Sequence, residues 1–223
     1  MISRMWESLF KEEDFEPRGN RCILREIQRG GQMKLLEQRI LRDGQYIGNG
    51  ILKVDGFVNH QVDPFLMNEA GKEFAKLFMN FSASKILTAE ISGIAPAVSA
   101  GLHMGIPVVF ARKHKPITMP DQVLLTLSPS HTTGRTVELI VSPEYLGTGE
   151  RVLIIDDFLA TGKTIEGLIR LAQIAGAEVV GVGALIEKTF EDGREHLEGL
   201  GIHVESLARI KSMSEKGIVF HKP

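Results

Sequence analysis

The sequence predicts an α/β domain built on a mostly parallel, twisted sheet with helices on both faces. Three observations carry that expectation. Short continuous apolar runs, such as Ile86-Leu87 and Val152-Leu153-Ile154-Ile155, alternate with amphipathic stretches, as strands buried on both faces alternate with the helices that cover them. The strand-like runs end in charged residues (Glu90, Arg112, Asp156, Lys188), and the carboxyl ends of parallel strands are where such folds bind ligands. Single glycines (Gly44, Gly105, Gly176) stand where the helical patterns stop.

At 223 residues, with 43% hydrophobic and 24% charged, the chain is ordinary globular material with room for one good core. A net charge of −2 gives no electrostatic footprint for nucleic acid. The lone Cys22 leaves no internal disulfide and fits a reducing compartment. No apolar run reaches the length of a membrane span, and Met1 to Asp14 lacks the apolar core of a signal peptide. The expectation is a cytoplasmic protein whose partners are small molecules, with neither nucleic acid nor membrane among them.

Residues 1–32 mix acids and bases in equal number, show little periodicity, and are set apart as an N-terminal extension; one domain is expected over 33–223. Leu35, Leu36, Ile40 and Leu41 suggest a short helix ending at Gly44. A strand-like piece from Gly50 leads to the turn around Asn59-His60, which in isolation reads as turn chemistry. Asp63 then caps, and Pro64 starts, a helix whose face is Leu66, Ala70, Phe74, Leu77 and Phe81. Lys85 to Ile91 reads as the first core strand, and the turn Glu90-Ile91-Ser92-Gly93 feeds a helix closed by Gly105. Ile106 to Ala111 reads as a second buried strand running into the basic cluster Arg112-Lys113-His114-Lys115. From Pro116 to Pro143 the period becomes two, with Val123, Leu125, Leu127 and Val137, Leu139, Val141 alternating: a long hairpin. After a helix at 163–175, a strand from Glu178 runs on to Lys188, an amphipathic stretch covers 192–200, and His203 to Ile210 makes a last strand.

The chemistry concentrates in residues 151–164. The apolar strand hands over to Asp156 and Asp157, and then to the small polar turn Ala160-Thr161-Gly162-Lys163-Thr164 at the start of a helix. Backbone N–H groups at a helix start, the positive end of its dipole and two hydroxyls form a cradle for a phosphate. Carboxylates accept hydrogen bonds from vicinal hydroxyls, so a sugar phosphate suits both ends of the stretch. Gly162-Lys163-Thr164 imitates the end of a Walker A loop, but that motif needs glycine five residues before Gly162, and Asp157 stands there. The bland alternative is a buried strand whose two acids cap the next helix.

This segment resembles the 5-phosphoribosyl 1-pyrophosphate (PRPP) motif of type I phosphoribosyltransferases. In order and spacing, Leu52 to Pro64, Glu90 to Pro96, Val108 to Lys115 and Ile186 to Lys188 are similar to bacterial xanthine phosphoribosyltransferases, over Met33 to about Phe220. The resemblance implies that fold, with a hood and an antiparallel flexible flap formed by the 116–143 hairpin, and a homodimer. It implies that Leu52 packs on xanthine, Asn59 hydrogen-bonds it and Lys188 reads a ring carbonyl. Residues 160–164 would hold the 5′-phosphate, while Glu90, Ser92 and Gly93 with Arg112 and Lys113 would form the pyrophosphate loop and lid. Asp156 and Asp157 would hold the ribose hydroxyls and favour positive charge on the ring, with Mg²⁺ carried by the substrate rather than by a protein cage. One departure is Thr161-Gly162-Lys163, where the family often has Asn at 161 and lacks Lys at 163. Chemistry adds one point of its own: an ammonium such as that of Lys188 only donates, so it favours an oxopurine over adenine. The alternatives are a PRPP-binding transcriptional regulator of the same fold, or an enzyme for hypoxanthine or guanine.

Overall fold

The computed structural model describes residues 33–129 and 136–222. The extension expected at 1–32 and the tip of the hairpin at 130–135 lie outside the described residues. The first half comprises α1 (Lys34–Asp43), β1 (Gln45–Tyr46), β2 (Leu52–Lys53), a π-helical turn (Asp55–Asn59), α2 (Pro64–Phe78), β3 (Lys85–Ala89), α3 (Ile94–Met104) and β4 (Val108–Ala111). Then come β5 (Leu124–Pro129), β6 (Thr136–Val141), β7 (Arg151–Leu159), α4 (Lys163–Ile174), β8 (Glu178–Lys188), α5 (Gly193–Gly199), β9 (Val204–Ser214) and β10 (Gly217–Phe220).

Six strands form the main sheet in the order β10-β9-β8-β7-β3-β4, parallel except for β10. β7 sits inside it with both faces covered, which explains its unbroken apolar run. Leu153 and Ile155 join a cluster with residues of α1, α2 and α3, while Val152 and Ile154 join one with α4 and α5. α2 starts as its sequence dictates, with Asp63 Oδ1 accepting from the Phe65 and Leu66 N–H groups at 3.1 Å each. Its Phe74 and Phe78 rings lie on β8 at Gly183 and Gly181, where a Cβ would come within 2.9 Å of a ring carbon. Truncating either phenylalanine to alanine removes a filled contact worth about 3–5 kcal/mol.

Three expectations change. The strand-like piece from Gly50 shrinks to Leu52–Lys53, paired with β1, and the π-helical turn follows. Phe57 and Val58 are consecutive and both buried, which a helical turn permits and a one-sided strand does not. This small subdomain is the hood. β4, read as buried, is the sheet edge with a single neighbour in that sheet, and its Phe110 is 38% exposed. The last strand runs past Ile210 to Ser214 and returns as β10, a hairpin beyond the reach of the sequence reading.

β5 and β6 pair from Leu124↔Val141 to Pro129↔Thr136, and an Arg112↔Ile140 bridge joins this flap to the end of β4. Along β5 the flap is fastened to α4. Arg170 donates to Thr126 Oγ1 (3.2 Å) and to the Leu127 carbonyl (2.9 Å), and Ser128 Oγ donates to the Lys163 carbonyl (3.0 Å). Among the described residues no helix is long and apolar enough to cross a membrane.

Candidate active site

The ends of β3, β7 and β8 place the charged residues of the sequence along one edge. Asp156 is buried, and its Oδ1 accepts the Asp157 N–H at 3.0 Å. Its carboxylate faces the turn after β3: a Cβ on Gly93 would come 2.5 Å from Asp156 Oδ1 and closer still to Thr88 Oγ1. Gly93 has φ −68°, open to any residue, so it is the approach of these groups that demands glycine. Burial first, then the charge of Asp157, push Asp156 well above the usual carboxylate range, against the opposing pull of the Asp157 N–H and, less, of Lys113. Asp157 is half-buried; its Oδ1 accepts the Phe158 N–H at 3.0 Å and its Oδ2 accepts from Asn59 Nδ2 at 3.3 Å. The hood thereby reaches the acids of β7.

The turn Ala160 to Thr164 opens α4. Gly162, its N-cap, has φ +76° and ψ 0°, the left-handed region that favours glycine. No side chain caps this helix, and its first backbone bond runs from Glu166 N to the Gly162 carbonyl at 2.8 Å. The geometry suits an anion at the first turn, flanked by the Thr161 and Thr164 hydroxyls and the exposed Lys163. The turn rests on Gly193, whose N–H donates to the Ala160 carbonyl at 3.1 Å.

At the end of β8, Lys188 is 6% exposed, with Nζ 5.7 Å from the Phe158 ring centroid and 3.6 Å from Glu191 Oε1. Leu52 is buried in the cluster against which Phe158 packs. A Cβ on Gly50 would stand 3.9 Å from Phe190, so the lip of the hood meets the loop after β8. An aromatic side chain beside a buried ammonium suits an aromatic ring carrying a carbonyl.

The basic segment is organised differently. Glu90 Oε1 accepts the Lys113 N–H at 2.6 Å, and Glu90 Oε2 lies 3.6 Å from Arg112 Nε. Glu90 therefore fastens the 112–113 segment to the turn after β3, in which Ser92 is half-buried and the Glu90–Ile91 peptide is cis. The structure brings Asn59 directly against Asp157, brings Gly93 against Asp156, and links Arg112 and Lys113 to the turn through Glu90. Thr88, Phe158 and Glu191 escaped the sequence reading. Thr88, a polar residue inside an apolar strand, and Phe158, an aromatic directly after two acids, carried usable signals; Glu191 carried none.

Residues 72–198 match the phosphoribosyl transferase domain. The chain belongs to the phosphoribosyl transferase family. It is 51% identical over 188 residues to xanthine phosphoribosyltransferase of Leuconostoc mesenteroides, covering 84% of this chain and 100% of that protein. Its identity to the Bacillus cereus xanthine phosphoribosyltransferase is 47% over 188 residues, covering 84% and 95%. Among solved structures, adenine phosphoribosyltransferase of Thermoanaerobacter pseudethanolicus superposes with a TM-score of 0.64 at 26% identity, over 78% of this chain and 99% of that one. The Trypanosoma brucei adenine phosphoribosyltransferase, in complex with AMP, pyrophosphate and ribose-5-phosphate, gives a TM-score of 0.67 at 16% identity, covering 84% and 86%. That second likeness is one of fold. The type I phosphoribosyltransferase fold expected from the sequence is the fold of this chain.

Proposed function

We propose that this phosphoribosyltransferase moves the 5-phosphoribosyl group of PRPP to N9 of xanthine, giving xanthosine 5′-monophosphate and pyrophosphate, as a step of purine salvage. The single observation that carries the reading is the edge on which Asp156 and Asp157 stand between an uncapped glycine turn and a buried lysine. The 51% identity to the Leuconostoc mesenteroides xanthine phosphoribosyltransferase supports it, and so does the chemistry of each group. Phosphate takes the Ala160–Thr164 turn, ribose hydroxyls take the two acids, and the purine lies toward Phe158 and Leu52. The Lys188 ammonium donates to a ring carbonyl of xanthine, where the amine of adenine would offer only another donor. Asn59, hydrogen-bonded to Asp157, contributes an amide to the same base.

In the transfer, the bond from N9 to the anomeric carbon forms as the bond to pyrophosphate oxygen breaks, and the ring passes through a cationic, oxocarbenium-like state. A carboxylate made unfavourable by burial and by a like-charged neighbour gains most when positive charge develops beside it, so Asp156 favours the transition state over the bound substrate. The turn at Glu90 to Gly93 receives the departing pyrophosphate, and Arg112 and Lys113 supply compensating charge. Two adjacent carboxylates fit a cation shared with substrate oxygens, and among the described residues no group of three or more metal-ligating side chains is assembled. Asp156 and Asp157 would face Mg²⁺ that arrives on PRPP, and the ion would neutralise charge on the leaving group. Closure of the β5–β6 flap over this edge would keep water from the cationic centre.

The homodimer and the cytoplasmic setting belong to the same proposal. Exposed apolar side chains on α3, Val98 and Leu102, with Ile91 in the turn before it (53%, 75% and 75% exposed), support association with a second copy. The test of the activity is direct: the protein is mixed with PRPP and Mg²⁺, and xanthine, hypoxanthine, guanine and adenine are offered in parallel. Selective formation of xanthosine 5′-monophosphate is expected. Preference for another base would overturn the assignment to xanthine, and tight PRPP binding without product would turn it toward a regulator of the same fold.

A further inference from the structure

The last two residues of β8 point to opposite faces of the sheet, as strand geometry requires. Lys188 lies beside Phe158, while Glu187 turns toward α5 and is 1% exposed. A carboxylate that deeply buried needs a cation and filled hydrogen bonds. Arg194 provides both in a two-pronged arrangement, Nε to Oε1 and Nη2 to Oε2, each at 2.7 Å. Arg209 Nε adds a third contact to Oε2 at 3.3 Å. The remaining Arg194 nitrogen is held as well, Nη1 donating to the Val204 carbonyl at 2.8 Å and to Glu198 Oε1 at 3.0 Å. Burial alone would raise the Glu187 carboxyl; Arg194 and Ser206 outweigh it and hold it below its ordinary value.

The neighbour of Arg194 matters as much. Gly193 donates to the Ala160 carbonyl, and a Cβ on it would fall on that oxygen and stand 2.8 Å from the Gly162 nitrogen. The first residue of α5 thus supports the phosphate turn, and the second locks the strand end that carries Lys188. Between them the loop is closed by the Glu191 N–H on the Lys188 carbonyl at 3.0 Å. A buried ion pair is weak evidence for stability, because well-packed apolar residues often serve the fold equally well. A fork held at four nitrogen contacts is better suited to fixing a distance.

We propose that Glu187 and Arg194 are positioning residues that set the separation between the 160–164 turn and Lys188, so that both ends of one nucleotide are engaged together. This rests on the functional reading above. Neither side chain touches substrate; each acts through the backbone it holds.

The test uses full-length protein carrying Arg194→Lys, which keeps the charge and loses the fork, and Glu187→Gln, which keeps the shape, as a second variant should the first fail to fold. Three quantities are measured: the melting temperature, the Kd for ribose 5-phosphate, which reports the phosphate turn, and the kcat/KM ratio of xanthine to guanine, which reports the Lys188 end. In a folded variant the ribose 5-phosphate Kd is expected to rise, and the xanthine preference to fall, each on the order of ten-fold, as small misplacements at a preorganised site do. A variant that melts lower but leaves both quantities at wild-type values contradicts the proposal, since that is the behaviour of a purely structural ion pair. A change at one end only also contradicts it. Wild-type protein that neither binds ribose 5-phosphate nor uses xanthine would overturn the functional reading itself, and the pair's role with it; failure confined to the variants leaves that reading standing.

Discussion

The turns after β3 and after β7 leave the same sheet edge, open onto helices and each contain one glycine that matters, yet the two glycines meet different demands. Gly162 needs its backbone: φ +76° is where a side chain is strained. Gly93 needs its missing side chain, because Asp156 and Thr88 already fill the space a Cβ would take. The turn after β7, the proposed phosphate site, is therefore shaped by local conformation. The turn after β3, beside the proposed reacting centre, is shaped by a contact across strands. Substitutions should separate the two.

The largest effect is expected at the carboxylate that the Gly93 turn accommodates. Asp156→Asn keeps the acceptor for the Asp157 N–H and removes the charge, so kcat should fall by about 2 to 4 kcal/mol of barrier, on the order of thirty- to a thousand-fold. Wild-type turnover in steady-state assays would remove Asp156 from the mechanism. Next comes Gly93→Ala. The added methyl displaces Asp156 and Thr88, and a kcat loss on the order of a hundred-fold is expected, larger than the accompanying loss of PRPP affinity. Gly162→Ala should invert that pattern: left-handed alanine costs about 1–2 kcal/mol, read in denaturant melts, and PRPP binding weakens more than kcat. If both alanine variants gave the same split between KM and kcat, the distinction between the turns would collapse.

The smallest effect is one of pH. The Asp156 carboxyl is raised by burial and by Asp157, so its contribution to stability is present below the ordinary aspartate pKa, about 3.9, and is lost as pH rises through its folded value. Asp156→Asn escapes that loss. Thermal melts of the two proteins should converge near pH 4 and separate at pH 8, with the inactive variant the more stable. Parallel melts at every pH would show that Asp156 carries no such penalty.

The β7–α4 unit was legible in the sequence because everything that shapes it is contiguous. Val152 to Ile155 are apolar on both faces, two acids follow, and Gly162 starts the helix. Asp63 and Pro64 announced α2 for the same reason. The hood was misread because consecutive Phe57 and Val58 fit a π-helical turn only once the cluster that buries them is known. The contact of Gly93 with Asp156 and Thr88 and the fork of Arg194 on Glu187 join residues of different elements, and no spacing records such a meeting. β10 was missed because its partner, the end of β9, alternates weakly around Lys211, Ser212 and Ser214.

The most direct measurement is a crystal structure of the protein with xanthosine 5′-monophosphate and pyrophosphate. The 5′-phosphate is expected in the Ala160–Thr164 turn, ribose hydroxyls at Asp156 and Asp157, pyrophosphate at the Glu90–Gly93 turn, and a purine carbonyl on Lys188 Nζ. A nucleotide lying the other way, with its base against the turn, or bound away from this edge, would contradict it.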